Sequence, residues 1–184
     1  MKVEINKSMK LSEHFTLGEL CKTKHVTEDG NIPSRVHIEN LKRICENWLE
    51  DLRYSYNMLY VHSGVRPQSK VAGDCTLAPD PGAAPASRKE EPIIINSGYR
   101  SPAVNLLAGG AKTSNHLSGC AVDIRCAGKE QMIRYASILL DIADGTKQDY
   151  DELLLEQHGN ICWLHFAVRP PSQGNRRKID FLKG

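Results

Sequence analysis

Apolar side chains recur at helical spacing in two long segments of the chain. Between residues 34 and 53 the spacing is three and four residues, which predicts a helix with one buried stripe. The same pattern predicts a helix over 129–143 that stops at Gly145. Within 11–20 a shorter amphipathic stretch follows Ser12, a residue type that favours the N-cap position. The stripe of the first helix comprises Ile38, Leu41, Ile44, Cys45, Trp48 and Leu52.

Alternation with a period of two predicts a β-hairpin near the end of the chain. Residues 153–158 and 161–168 flank Gly159-Asn160, a dipeptide suited to a tight turn. Pairing outward from this turn places 156 opposite 163 and 154 opposite 165, and successive side chains point to opposite faces. The face expected to meet the core carries Leu153, Leu155, Cys162, Leu164 and Phe166. The other face carries Glu156, His158, Trp163 and His165.

Two further strands complete a small sheet. Residues 93–95 and 121–125 are short runs rich in β-branched and apolar residues. Between them, Ser101-Pro102 predicts the start of a short helix that closes at Gly109-Gly110. We therefore expect an α+β fold in which a small antiparallel sheet packs against helices on one side.

One long segment lacks the pattern of a core element. Residues 62–92 are rich in Pro, Gly, Ala and Ser and contain almost no large apolar side chains. Loops of this length are uncommon inside compact domains. We interpret 1–184 as one domain with a flexible insertion at 62–92.

Composition narrows the class of protein. The 184 residues are 40% hydrophobic and 25% charged, which is typical of a globular domain. The formal net charge of +2 disfavours a dedicated nucleic-acid binder, even with the basic NRRK segment near the end. No apolar run approaches the roughly 20 residues of a membrane helix, and the start lacks the apolar segment of a secretory signal. The six cysteines form no CxxC pair, which disfavours a cysteine zinc knuckle. Because no secretory signal is seen, we expect reduced thiols in buried positions.

A group of polar residues points to metal chemistry. His116 precedes Asp123 by seven residues, and Asp123 lies inside a predicted strand between apolar neighbours, where a buried carboxylate needs a partner. His165 lies on the polar face of the hairpin, and Glu156 is diagonal to it. Two histidines and one aspartate are an acceptable zinc set with an open position. Spacing alone leaves the alternative that each histidine is an ordinary core or surface residue.

Four ordered motifs resemble the M15 family of zinc metallopeptidases. They are Ser114-x-His116-x-x-Gly119-x-Ala121-x-Asp123, Trp163-x-His165, the SGYRSP segment from Ser97 to Pro102, and the opening LSEHF segment through Leu20. This family contains D-alanyl-D-alanine carboxypeptidases and peptidoglycan endopeptidases, including phage lysins, and shares its fold with the Hedgehog signalling domain. The resemblance covers nearly the whole chain except 62–92, and the opening segment resembles the phage and prophage branch.

The resemblance implies roles for individual residues. His116, Asp123 and His165 correspond to the ligands of one zinc ion, and Arg100 to a substrate-binding arginine, with a structural salt bridge as the alternative. Ser114 would orient the site or the substrate, or else cap a turn. Tyr99 would contact the substrate or pack in the core.

The general base departs from the pattern of several family members. They carry it three residues before the last histidine, where this chain has Cys162 on the core face. We therefore choose Glu156 as the base, with His158 second because it lies nearer the turn.

The resemblance also implies an activity. We expect zinc-dependent hydrolysis of D-alanine-containing bonds in peptidoglycan stem peptides, through a metal-bound water, by a monomer that does not insert into membranes. It would be made in the cytoplasm and released to the cell wall by a phage-type route. The alternative is a non-catalytic zinc-binding recognition module of the same fold.

Overall fold

A five-stranded sheet is the centre of the structure, a computed structural model that describes residues 6–62 and 89–184. The strand order is β1-β2-β4-β3-β5, and several helices accompany the sheet, so the predicted α+β class is confirmed. Most of the predicted insertion at 62–92 lies outside the described residues. The strands are β1 Ile95–Ser97, β2 Ala121–Cys126, β3 Glu152–His158, β4 Ile161–Ala167 and β5 Lys178–Lys183.

The sheet is mixed, so the prediction of a purely antiparallel sheet is wrong. The first four strands pair antiparallel, but β5 pairs parallel to β3. The physical reason is that β4 already has β2 and β3 as neighbours, so the last strand can only join an edge. The chain leaves β4 at the end of the sheet where β3 begins, because Glu152 lies opposite both Ala167 and Lys178, and β5 therefore runs in the same direction as β3.

The hairpin has the predicted register. Glu156 lies opposite Trp163 and Leu154 lies opposite His165, across a turn in which Gly159 has a φ of +56°. The face assigned to the core is buried, with exposed fractions of 0–5%. The polar face is therefore the one on which a site can form.

The first long helix extends further than predicted. Helical turns run from Arg35, after Ser34 as N-cap, to His62. They comprise α2 (Arg35–Ile44), a π-helical segment (Cys45–Leu49), α3 (Glu50–Tyr56) and a second π-helical segment (Asn57–His62). The extension is explained by Tyr56 and Val61, which continue the buried stripe. Trp48 anchors this helical run to the sheet, with its ring 4.9 Å from that of Phe166.

The other helices differ from the predictions mainly at their ends. The short helix α1 (Leu17–Leu20) is capped by Thr16 in a capping box with Glu19, so the prediction of Ser12 as the cap is wrong. Helix α4 (Pro102–Leu107) begins after Ser101 as predicted. Helix α5 (Lys129–Thr146) continues through Gly145, the predicted stop, and ends before Lys147 in a left-handed conformation.

Five of the six cysteines lie among the described residues, and their burial was predicted from the sequence. Cys21, Cys45, Cys120, Cys126 and Cys162 are buried and free. Within residues 6–62 and 89–184, no helix combines the length and apolarity needed to cross a membrane.

Glu50 fastens the N-terminal segment to the helical run, and its replacement by Gln is expected to destabilise the protein. Its carboxylate accepts hydrogen bonds from the Ser12 hydroxyl at 2.6 Å and the His14 N–H at 2.8 Å, and lies 2.7 Å from the His14 ring. Loss of these charged contacts should lower the free energy of unfolding by about 1–3 kcal/mol. Urea unfolding near neutral pH measures this difference.

The Glu50→Gln difference should shrink in acid. Burial alone would raise the pKa of Glu50, but the bonds from Ser12 and His14 hold it below its ordinary value. The charge-dependent stability is therefore complete above the unfolded pKa of about 4.3 and is lost as the pH falls through the lower folded pKa. A difference that stays constant into strong acid would contradict this assignment.

Candidate metal centre

Three side chains from distant parts of the chain converge on the polar face of the sheet. His116 lies in a single 3₁₀ turn (Asn115–Ser118), while Asp123 and His165 lie directly opposite each other on β2 and β4. One nitrogen or oxygen from each residue lies within 4.8 Å of the others, and all three residues are buried. The structure thus brings together the three residues predicted as ligands.

The backbone determines which nitrogen of His116 faces the cluster. Its Nδ1 lies 2.5 Å from the carbonyl oxygen of Gly98, which can only accept a hydrogen bond. Nδ1 therefore carries the hydrogen, and Nε2 points to Asp123 Oδ1 at 3.2 Å. A carbonyl that fixes the outer nitrogen of a histidine in this way is a common support for metal ligands.

His165 faces the cluster with Nδ1, whereas His116 uses Nε2. Its Nδ1 lies 2.9 Å from Asp123 Oδ1, whereas its Nε2 points away, 3.6 Å from Glu152 Oε2. The inward atoms are therefore Nε2 of His116, Nδ1 of His165 and a carboxylate oxygen of Asp123. Two imidazole nitrogens and one carboxylate oxygen form a donor set that suits zinc and leaves a position free.

The three side chains of the cluster shift one another's pKa values. Burial alone would raise the pKa of Asp123, but His116 and His165 hold it far below its usual range. Burial would lower the pKa of His165, yet the contacts with Asp123 and Glu152 raise it to about 9. Burial lowers the pKa of His116, although Asp123 opposes this effect. Without metal, Asp123 is therefore ionised and His165 carries the compensating proton, which a metal ion would displace.

Arg100 touches the cluster through Asp123. Its Nη2 donates to Asp123 Oδ2, and its Nε donates to the Ser97 hydroxyl at 2.8 Å. The structural salt bridge considered as the alternative role of Arg100 is thus formed. The same side chain also lines a cavity beside the cluster, so its position is compatible with contact to a bound molecule.

Two of the predicted substrate-binding residues, Ser114 and Tyr99, make contacts within the protein. Ser114 caps the 3₁₀ turn by accepting a hydrogen bond from the His116 N–H at 3.3 Å. Tyr99 is only 4% exposed and stacks on His37 with ring centroids 4.8 Å apart. These contacts correspond to the capping and packing alternatives for the two residues.

The predicted base lies on the same face as the cluster. Glu156 is half-buried opposite Trp163, and burial, with a smaller effect of the Asp123 charge, raises the pKa of its carboxyl. His158 is exposed beside the turn. The carboxyl group of Glu156 therefore takes up a proton at a higher pH than a solvated glutamate does.

A second carboxylate on β3, that of Glu152, was not predicted as part of the site. It is diagonal to His165 on the side of Leu154 opposite to Glu156, so the period of two along β3 could have identified it. Contact with His165 is the largest cause that lowers the pKa of Glu152 to about 2, while burial opposes the shift. Glu152 is therefore ionised near neutral pH.

Gly119 permits the chain to turn from His116 into β2, and Gly119→Ala is expected to destabilise the protein. Its φ is +68°, and an added Cβ would lie 2.6 Å from the backbone oxygen of His37. Strain of the left-handed conformation plus this clash should cost about 2–4 kcal/mol in free energy of unfolding. Gly109→Ala is the matched control, because Gly109 has a φ of +70° but open space around it. Equal losses in urea unfolding of the two variants would contradict the clash.

The fold and the cluster define a class: an α+β protein with a buried group of two histidines and one aspartate that could hold a metal ion. A family model described as Peptidase M15 matches residues 86–149, about a third of the chain. The matched segment includes Arg100, His116 and Asp123. The match supports the resemblance to M15 family peptidases inferred from the motifs. No curated protein matches the chain.

Proposed function

We propose that this protein is a zinc metallopeptidase that hydrolyses D-alanine-containing bonds in peptidoglycan stem peptides. The observation that carries the proposal is the buried cluster of His116, Asp123 and His165 with the half-buried Glu156 on the same face. The match of residues 86–149 to the Peptidase M15 model supports it. The protein would act as a monomer that reaches the cell wall by a phage-type release route.

The cluster would hold one zinc ion through the three inward atoms. Bound there, the ion would supply Lewis-acid chemistry that activates water and polarises a peptide carbonyl. The donor set fits this role because three protein ligands leave coordination positions open. The hydrogen bond from His116 Nδ1 to Gly98 and the hydrogen bonds from Arg100 to Asp123 and Ser97 hold the ligands in place before any metal arrives.

Glu156 would act as general base and then as general acid. Its carboxylate takes a proton from the attacking water and returns it to the amine that leaves. Both steps need a group that exchanges protons near neutral pH, and the raised pKa of Glu156 moves it toward that range. Glu152 suits this role less well, because its low pKa makes it a poor proton acceptor.

Arg100 would stabilise negative charge on the substrate. Two of its nitrogens are engaged by Asp123 and Ser97, and the guanidinium has further N–H donors. Those donors are available to a substrate oxygen that gains charge during the reaction. The ion pair with Asp123 keeps the guanidinium beside the cluster in the absence of substrate.

A digest of purified peptidoglycan tests the proposal. The zinc-loaded protein should release products whose masses, measured by mass spectrometry, identify the cleaved bond, and chelation of the metal should abolish release. Loss of one terminal D-alanine would identify a carboxypeptidase, whereas cleavage of cross-links would identify an endopeptidase. Tight zinc binding with no product from any cell-wall peptide would instead favour a non-catalytic recognition module.

A further inference from the structure

A cavity of about 450 Å³ opens beside the metal-ligand cluster and has a cationic wall. Lys22 and Lys24 line it from the segment that follows α1, and Arg100, which is paired with Asp123, lines it on the side of the cluster. None of its nine lining residues is an aspartate or glutamate. The cavity therefore concentrates positive charge at the site of a protein whose formal net charge is only +2.

The two lysines are uncompensated. Among residues 6–62 and 89–184, neither Lys22 nor Lys24 has an ion pair or a side-chain hydrogen bond, whereas Arg100 is paired with Asp123. Val104 and Ala108 add an apolar wall on the side of α4. A cavity with free ammonium groups and an aliphatic wall suits a carboxylate carried on a short aliphatic group.

We propose that this cavity is a subsite in which Lys22 and Lys24 bind a carboxylate of the peptide substrate close to the bond that is cut. The inference rests on the proposed function and adds the charge of the preferred substrate. Arg100 marks the boundary between the cavity and the cluster, so the carboxylate would lie within a residue or two of the scissile bond. Two sources share this chemistry: the C-terminal carboxylate and an acidic side chain.

Matched peptides identify the source of the carboxylate. The probes are a short peptide that ends in D-Ala-D-Ala, its C-terminal amide, and a pair with Glu or Gln beside the scissile bond. In the double variant Lys22→Met/Lys24→Met, KM for the preferred carboxylate peptide should rise roughly tenfold, with kcat within about twofold. The matching amide should be unaffected. Lys42→Met is the control, because Lys42 lies on α2 and pairs with Glu46.

The binding readout separates this inference from the proposed function. Calorimetry of the four peptides on the zinc-loaded Glu156→Gln protein reports the preference for carboxylate over amide without turnover. If the wild-type protein cuts none of the peptides, but the preference exists and disappears in the double variant, the subsite stands and the proposed function fails. If the double variant keeps the wild-type preference in both pairs, or if no preference exists, the subsite is overturned.

Glu152 on β3 contacts residues that carry or adjoin the ligand histidines. Its Oε2 accepts a hydrogen bond from Asn115 Nδ2 at 3.0 Å and lies 3.6 Å from His165 Nε2, while Oε1 pairs with Arg176 at 2.9 Å. The side chain is only 17% exposed. This one carboxylate therefore contacts the outer nitrogen of His165 and the residue next to His116.

Asp151 binds the same two residues, Asn115 and Arg176, that contact Glu152. It is fully buried and accepts hydrogen bonds from Asn115 Nδ2 at 2.9 Å and from Arg176 at 2.6 and 2.8 Å. Arg169 adds an ion pair at 2.9 Å. Both amide hydrogens of Asn115 are thus committed to Asp151 and Glu152, which limits the movement of the turn that carries His116.

We infer that Glu152 is a positioning residue that holds both histidines in the geometry a zinc ion requires. It is distinct from the base, because it lies on the other side of Leu154 from Glu156 and contacts the face of His165 that points away from the cluster. Outer-shell carboxylates of this kind orient a histidine ring and increase its basicity. This role, too, rests on the proposed zinc site.

Zinc affinity, measured by competition with a chelating dye and without substrate, tests this role. Glu152→Ala should weaken zinc binding about 10- to 100-fold. Glu152→Gln should lose only about 3- to 10-fold, because its amide oxygen still accepts a hydrogen bond. Glu156→Gln, the matched control on the same strand, should stay within about threefold of wild type.

The outcomes are distinct from those of the digest. A folded Glu152→Ala protein with wild-type zinc affinity would overturn the positioning role. If Glu152→Ala does not fold, Glu152→Gln decides, and wild-type affinity in that variant overturns the role. Failure to cut peptidoglycan would leave the zinc measurement intact, whereas failure of the wild-type protein to bind zinc would remove the site itself.

Discussion

His165→Ala is expected to abolish stoichiometric zinc binding and to lower peptidoglycan hydrolysis by at least about 1000-fold. The substitution removes one of the three inward atoms and leaves only His116 and Asp123, which is too few for a stable catalytic site. It also removes a hydrogen bond 2.9 Å long from the buried carboxylate of Asp123. Bound metal after dialysis and the rate of muropeptide hydrolysis are the two measurements.

His158→Ala is the control for this substitution. His158 lies on the same hairpin but is exposed beside the turn, so its loss should change neither zinc content nor rate by more than about twofold. Circular dichroism and urea unfolding of His165→Ala establish that the fold is retained. Hydrolysis that survives in a folded, zinc-free His165→Ala protein would refute the metal mechanism.

Glu156→Gln is expected to keep zinc and the fold but to lower kcat by about 100- to 10,000-fold. The amide is nearly isosteric with the carboxyl group but cannot accept the proton of the attacking water. Because Glu156 is not one of the three residues of the cluster, zinc content should remain stoichiometric. The combination of full metal content and lost turnover distinguishes a base from a ligand.

The pH dependence of the wild-type rate provides a second test of Glu156. Burial raises the pKa of its carboxyl, so the base form is lost at a higher pH than for a solvated glutamate, as the pH falls through this raised value. The acid side of the rate profile should therefore lie above the ordinary pKa of about 4.3 and should disappear in Glu156→Gln. A Glu156→Gln protein with full activity would exclude Glu156 as the base.

Glu152→Gln is the control for this assignment. Saturated with zinc, it should keep most of the wild-type kcat.

Elements with a one-sided burial pattern were predictable. The hairpin places Leu153 and Phe166 inward and His165 outward because strand side chains alternate, and this local rule needs no knowledge of other segments. The last strand, Lys178–Lys183, has no such pattern. All six of its residues are exposed, so no burial pattern indicated its partner or its direction.

The start of α1 was predictable only in part. Ser12 and Thr16 are both good N-caps by residue type, and Glu19 selects Thr16 because it completes the capping box. Ser12 is used instead by Glu50, 38 residues later in the chain. The local capping-box rule therefore favours Thr16, whereas the contact of Ser12 with Glu50 depends on how the N-terminal segment packs against the helical run.

The sequence by itself determined which residues form the site and on which face they lie. The motif around His116 and Asp123 and the alternation around His165 identified the cluster, and Glu156 followed from the pairing across Gly159. Only the tertiary structure decided how these side chains are held: the Gly98 carbonyl on His116 and the Glu152 carboxylate beside His165. It also placed Lys22 and Lys24 at a cavity beside the cluster. The reason is that side-chain direction is a property of neighbouring residues, whereas distances between distant segments are set by the packing of the whole fold.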